Sequence, residues 1–149
     1  MTYLYRDATP ADDYASNASL TAGAVVITGV ETAAADGVYD IPETIGGKKV
    51  VAIMERAFCG DVAATVKKVI IPSNVKTINA YAFYECYNMT DLYIKGEAVG
   101  CPSVIFPEKA KRNFGITVHA SATCHDRNFH TYKTLCTTYF GTDFEEWNG

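Results

Sequence analysis

Two nine-residue stretches of this chain can be laid one over the other. Val50-Val51-Ala52-Ile53-Met54-Glu55-Arg56-Ala57-Phe58 aligns with Val75-Lys76-Thr77-Ile78-Asn79-Ala80-Tyr81-Ala82-Phe83 at an offset of 25, position 50 to position 75. Val50/Val75, Ile53/Ile78, Ala57/Ala82 and Phe58/Phe83 are identical. A second set, Val66, Val69 and Ile71, aligns with Met89, Leu92 and Ile94 at an offset of 23, position 66 to position 89. The difference falls in the loop after the Ala-Phe pair, where added length costs little. An earlier copy starts at Tyr39-Asp40-Ile41-Pro42, matched to Ile70-Ile71-Pro72 through the Ile-Pro step, with Gly46-Gly47-Lys48-Lys49 as a longer turn. Such offsets lie within the roughly 20–29-residue spacing of leucine-rich repeats.

Each element of the pattern has a physical reason. Alternation at Val69/Ile71 and Leu92/Ile94 turns those side chains to one side of a short strand. Pro72 ends the ladder, because it has no N–H for a neighbouring strand. Val75 and Ile78 supply a second apolar wall. The small Ala lets adjacent segments approach while the Phe ring fills the interior. The expected fold is therefore a repeat solenoid, mainly β with short turns and helical segments, with parallel strands and a C-terminal helical cap. Its expected core is Ile41, Val50, Ile53, Ala57, Phe58, Val66, Val69, Ile71, Val75, Ile78, Ala82, Phe83, Met89, Leu92 and Ile94.

The ends read differently from the middle. Residues 1–23, rich in Ala, Asp, Ser and Thr, suit an N-terminal lead-in, with Thr2-Tyr3-Leu4-Tyr5 as an edge strand. Residues 24–118 form the repeat region and 119–149 the cap. Within the cap, Asp126 to Cys136 and Thr142 to Asn148 read as short helices, with Thr142 or Asp143 capping the second and Glu145 and Glu146 in its first turn. Tyr132, Leu135, Tyr139, Phe140, Phe144 and Trp147 are expected to cover the end of the array.

These residues resemble the BspA-like leucine-rich repeat family, whose pattern runs apolar-x-x-apolar-x-Ile-Pro, Val-x-x-Ile, Ala-Phe, then a Cys or Gly turn. Ala24-Val25-Val26-Ile27-Thr28-Gly29 looks like a first coil, and Cys86 matches the turn cysteine; Cys59, directly after Phe58, departs from it. Ile116-Thr117-Val118, Thr131-Tyr132-Lys133 and Trp147 look like the terminal strand and cap. The resemblance covers about 24–118 well and the last thirty residues loosely. It implies a bacterial or protist protein, at the cell surface or secreted, that binds host or other extracellular ligands without an active site.

Composition narrows the function further. Net charge is −4, and the 13 Lys and Arg are scattered rather than drawn into a basic stripe, which argues against nucleic acid as a partner. No window approaches the roughly 18 apolar residues of a membrane span, so no membrane insertion is expected. The five cysteines, an odd count, follow no disulfide or zinc spacing and read as buried thiols. Asn17-Ala18-Ser19 and Asn88-Met89-Thr90 match the glycosylation sequon, a pattern common by chance.

All three histidines (119, 125, 130) and two cysteines (124, 136) fall within 18 residues. Adjacent Cys124-His125 and the six-place step from His130 to Cys136 are not standard zinc spacings, and no orienting group accompanies a Cys-His pair. A zinc or thiol site in 119–136 is therefore the weakest alternative, and no metal or cofactor is expected. No Gly-rich phosphate loop, G-x-S-x-G elbow or H-E-x-x-H motif occurs. The sequence reads as a non-enzyme.

If Val69 and Ile71 point inward, their neighbours point out. By register, Val38, Lys68 and Asp91 form one outward row and Asp40, Ile70 and Tyr93 a second. Asp40, Lys68, Ile70, Asp91 and Tyr93 are the candidate binding face for a protein or glycan ligand. Five strands about 4.8 Å apart give a face of about 230 Å², well below the roughly 800 Å² that each partner gives a standard interface. The expected role is a module of a larger chain or a weak multivalent binder. The competing reading is a structural spacer or assembly unit.

Overall fold

The structure, a computed structural model, describes residues 3–13 and 23–149. The strands are β1 (Tyr3–Asp7), β2 (Ala24–Val30), β3 (Val38–Asp40), β4 (Thr44–Ile45), β5 (Lys48–Ile53), β6 (Lys68–Ile71), β7 (Thr77–Ile78), β8 (Asp91–Ile94), β9 (Thr117–Ala120) and β10 (Asp143–Glu146). Among the described residues one short α-helix, α1 (Tyr132–Leu135), runs into a wider π-type turn at Cys136–Phe140, and 3-10 turns occur at Pro10–Asp12, Gly60–Thr65 and Lys109–Lys111. The sequon at Asn17 and most of the second half of the expected lead-in lie outside the described residues.

Two sheets face each other across one core. The first is mixed and has the order β1-β2-β5-β4, with β7 also paired to β5. β1 is antiparallel to β2 and β4 to β5, whereas β5 is parallel to both β2 and β7. The second sheet is wholly parallel, in the order β10-β9-β8-β6-β3.

This is a small mixed α/β domain with little helix, and it corrects the expected repeat solenoid of BspA-like leucine-rich type. Two features overturn that expectation. The Gly46-Gly47 step is not a longer turn between coils but a two-residue hairpin, with φ of +60° and +80° at the two glycines. Positive φ at both central residues is what a tight turn needs to match strand twist, and the chain reverses into an antiparallel pair. At the N-terminus β1 likewise folds back on β2, with a register shift between Leu4 and Tyr5.

The expected C-terminal helical cap is corrected too. Residues 126–131 are not helical, and Asp143–Glu146 is a strand lying parallel on β9, from Asp143 opposite Thr117 to Glu146 opposite Ala120. Gly141, with φ +61°, ends the preceding turn and starts the reversal. The open edge of β9 offers a row of unpaired backbone groups, and satisfying them outweighs a favourable acidic first turn.

The core between the sheets contains every residue of the expected core set, all buried. A row of aromatic rings runs through it. Phe58 and Phe83 are 5.3 Å apart between centroids, Phe83 and Phe106 6.0 Å, and Phe106 and Phe140 5.4 Å. Tyr39 meets Phe58 edge-on at 5.5 Å. Tyr39 is a fully buried phenol, so its hydroxyl needs partners: it accepts from Ala34 N and bonds Thr65 Oγ1 at 2.7 Å. Arg56 and Tyr81, each just ahead of an Ala-Phe pair, are both left-handed at φ 57° and 60°. Each costs about 1–2 kcal/mol for a residue with a Cβ, and the same turn carries both Phe rings inward. Gly37 is required by space as well as φ, since a Cβ there would sit 2.7 Å from Thr65 O.

The outer side of the mixed sheet is covered. Ala8, Ala24, Val26 and Ala52 form a second buried cluster under residues 8–13. This segment is pinned at three points: Arg6 donates to Asp12 at 2.5 and 2.9 Å, Asn79 Nδ2 donates to Asp12 O at 3.0 Å, and Asp13 is ion-paired with Arg127.

Candidate functional site

The outer side of the parallel sheet carries the side chains that the registers bring together. Val38, Lys68, Asp91, Thr117 and Asp143 stand side by side along one row. Asp40, Ile70, Tyr93, His119 and Glu145 form the next. Strand alternation puts both rows on the face opposite the buried Val69, Leu92 and Val118. The five candidate face residues therefore share one surface: Asp40 and Lys68 are exposed, and Ile70, Asp91 and Tyr93 are half-buried.

The centre of this surface is an aromatic stack. The His119 ring lies parallel to Tyr93, 4.1 Å between centroids at an interplanar angle of 7°. Trp147 closes on Tyr93 edge-on at 5.1 Å. Trp147 is held there by its own backbone, whose N–H donates to Ala120 O at 2.7 Å. The stack is locked by polar contacts at its rim. His119 Nε2 is 2.7 Å from Asp91 Oδ1, and Thr90 Oγ1 donates to Asp91 Oδ2 at 2.6 Å. His119 Nδ1 lies 3.8 Å from Glu145 Oε1, and Lys68 Nζ 4.0 Å from Asp91 Oδ2. Burial pushes the Asp91 carboxyl up, but the hydrogen bonds from Thr90 and His119 outweigh it and hold the group below the usual carboxylate range.

Chemically, the face offers a flat aromatic platform with fixed rings, an apolar Ile70 beside it, and carboxylates at Asp40, Asp91, Asp143 and Glu145. His119 is only 7% exposed and is engaged at Nε2, so it serves the surface as a ring and a brace for Asp91. The sequence reading missed His119, Glu145 and Trp147. The first had a signal: alternation along Ile116-Thr117-Val118 sends Thr117 and His119 outward together. Glu145 and Trp147 lie in a segment whose Thr-Asp-Phe-Glu-Glu run satisfies the rules for a helix start, so their strand register is not legible there, although Trp147 is expected at the end of the array.

The residues of the zinc or thiol alternative are dispersed. His119 belongs to the sheet face, His125 stacks on Phe129 at 5.0 Å, and His130 Nδ1 lies 3.4 Å from Asp126. Burial raises the Cys124 thiol to about 12 and raises Cys136 as well. Among the described residues, no three His, Cys, Asp or Glu side chains are grouped so as to hold a metal ion. No helix among them is long and apolar enough to cross a membrane.

Compared with protein-family models, with curated proteins and with solved structures, the chain matches none.

Proposed function

We propose that this protein is a non-catalytic binding module whose contact surface is the outer face of the parallel sheet. The observation that carries the reading is the register-aligned row Asp40, Ile70, Tyr93, His119 and Glu145, with Trp147 packed edge-on against Tyr93 at its centre. A rigid aromatic platform loses little conformational freedom on binding, which favours affinity from a small area. The partner is a protein or glycan that presents a flat apolar patch and hydrogen-bond donors to the surrounding carboxylates. The setting, at a cell surface or secreted, and the extracellular partner rest on the family resemblance of the sequence alone.

Area sets the strength. A strand face of about 230 Å² is below a standard interface, so single contacts are weak and capture depends on several copies or on flanking loops. The test uses the protein displayed in many copies against panels of extracellular glycoproteins and polysaccharides. Ile70→Lys combined with Tyr93→Lys removes the ring contacts with His119 and Trp147, so it should lower the melting temperature by a few degrees while the chain stays folded, and reduce capture about tenfold or more. Trp147 is the single tryptophan, so its emission should shift when a ligand occupies this face. Undiminished capture by the double variant removes the face from consideration.

A further inference from the structure

A separate cleft of about 400 Å³ shares no residue with the sheet face. It is walled by Tyr81, Tyr84 and Tyr139, with Phe106, Glu108 and Arg112 beneath and beside them. Tyr84 meets Tyr81 edge-on at 5.0 Å, and its hydroxyl donates to Glu108 Oε1 at 3.2 Å. Tyr139 stands 57% exposed. The walls are fixed to one another through Arg112. Its Nε donates to Pro107 O at 2.9 Å, Nη1 to Gly141 O at 2.8 Å, and Nη2 to Phe140 O at 2.7 Å. One guanidinium thus ties the loop carrying Phe106 and Glu108 to the turn carrying Tyr139.

We propose that this cleft binds a neutral pyranose, as the end or a branch of a glycan. Aromatic rings cover the C–H faces of a sugar ring, and the hydroxyls around that ring both donate and accept. The cleft supplies matching groups: the Glu108 carboxylate accepts, the Lys109 ammonium donates, and the Ser103 hydroxyl does either. Other ligand classes fit less well. A wholly apolar ligand would strip water from Glu108 and Lys109 without replacing their hydrogen bonds. A phosphate or carboxylate would face Glu108, while the Arg112 guanidinium is turned to three backbone carbonyls. The volume lies near the lower end of the roughly 300–1,000 Å³ of small-ligand sites, room for one or two sugar rings.

The full chain is tested by saturation-transfer NMR against the methyl glycosides of glucose, galactose, mannose and N-acetylglucosamine, with uridine as the aromatic comparator. Transfer to ring C–H protons of at least one glycoside is expected. Tyr139→Ala, at an exposed ring whose loss spares the core, and Glu108→Gln should each weaken that glycoside about tenfold. Tyr5→Ala, at an exposed tyrosine on β1, should not weaken it. Failure of every glycoside to show transfer, transfer that survives Tyr139→Ala, or a stronger uridine signal lost in that variant would each overturn the assignment. The Ile70→Lys/Tyr93→Lys variant leaves this cleft untouched, so the two proposals fail separately.

Discussion

His119 Nε2 lies 2.7 Å from Oδ1 of Asp91, a residue 28 positions earlier in the chain. With Thr90 Oγ1 on the other carboxylate oxygen, the contact depresses the Asp91 carboxyl against the upward push of burial. A carboxyl depressed in the folded state stabilises the fold above its unfolded value, about 4. That contribution disappears as pH falls through the lower, folded value. Asp12, Glu43 and Glu97 are lowered in the same direction. Asp91→Asn should therefore make the loss of thermal stability below about pH 4 shallower without abolishing it. Melting temperatures across the acid range decide this; a wild-type acid slope in the variant contradicts it.

Phe58 and Phe83 are fully buried with their rings 5.3 Å apart. Truncating either to Ala leaves a cavity in a close-packed interior and should cost about 3–5 kcal/mol. Because each ring forms part of the other's surroundings, the double variant should be non-additive by about 0.5–1.5 kcal/mol. Urea unfolding of the four proteins gives the cycle. Strict additivity would mean that the rings do not share one interior.

Asn79 donates from Nδ2 to both Asp12 O and Ile53 O, at 3.0 and 3.1 Å, and so fastens the N-terminal segment to the mixed sheet. Asn79→Ala should destabilise by about 1–3 kcal/mol, since Asp12 O loses this buried donor, whereas Ile53 O keeps the Asn79 backbone N–H at 2.9 Å. Backbone amide exchange should accelerate at Asp12 and Asp13 more than in β6 or β8. Uniform acceleration across both sheets would mean that the side chain supports the whole fold instead of this segment.

Cys86, Cys101, Cys124 and Cys136 are buried, while Cys59 is half-buried. Burial raises every one of these thiols, Cys101 to about 12, and a thiol kept protonated is a poor nucleophile. A disulfide reagent should label Cys59 first and the other four only as the protein unfolds. Cys59→Ser should remove the early phase. Rapid native-state labelling at Cys124 or Cys136 would restore the thiol alternative for that region.

Much of the local order is legible in the residues. Alternation at Val69/Ile71 and Leu92/Ile94 signals short strands with one buried side, and β6 does pair with β8, Val69 opposite Leu92. The matched Ala-Phe pairs bring Phe58 and Phe83 into ring contact. The overall fold was not legible. A spacing of like residues carries no information about which strands reverse, and the antiparallel β1–β2 and β4–β5 pairs made the first sheet mixed. The Gly46-Gly47 hairpin was readable in principle, because two consecutive glycines are a strong tight-turn signal. The strand at Asp143–Glu146 was not, because its Thr-Asp-Phe-Glu-Glu setting satisfies the rules for a helix start.

The sequence by itself determined which side chains leave water, since apolar residues at strand spacing have one energetically acceptable side. Only the tertiary structure decided which polar and aromatic residues meet outside. Asp91, Tyr93, His119 and Trp147 come from two strands and a tail, and parallel pairing sets them side by side at a register that no local preference encodes. The same holds for the cleft, where Arg112 joins a loop to a turn 28 to 29 residues further on. Contacts of that kind depend on long-range backbone geometry, which forms only after the interior has closed.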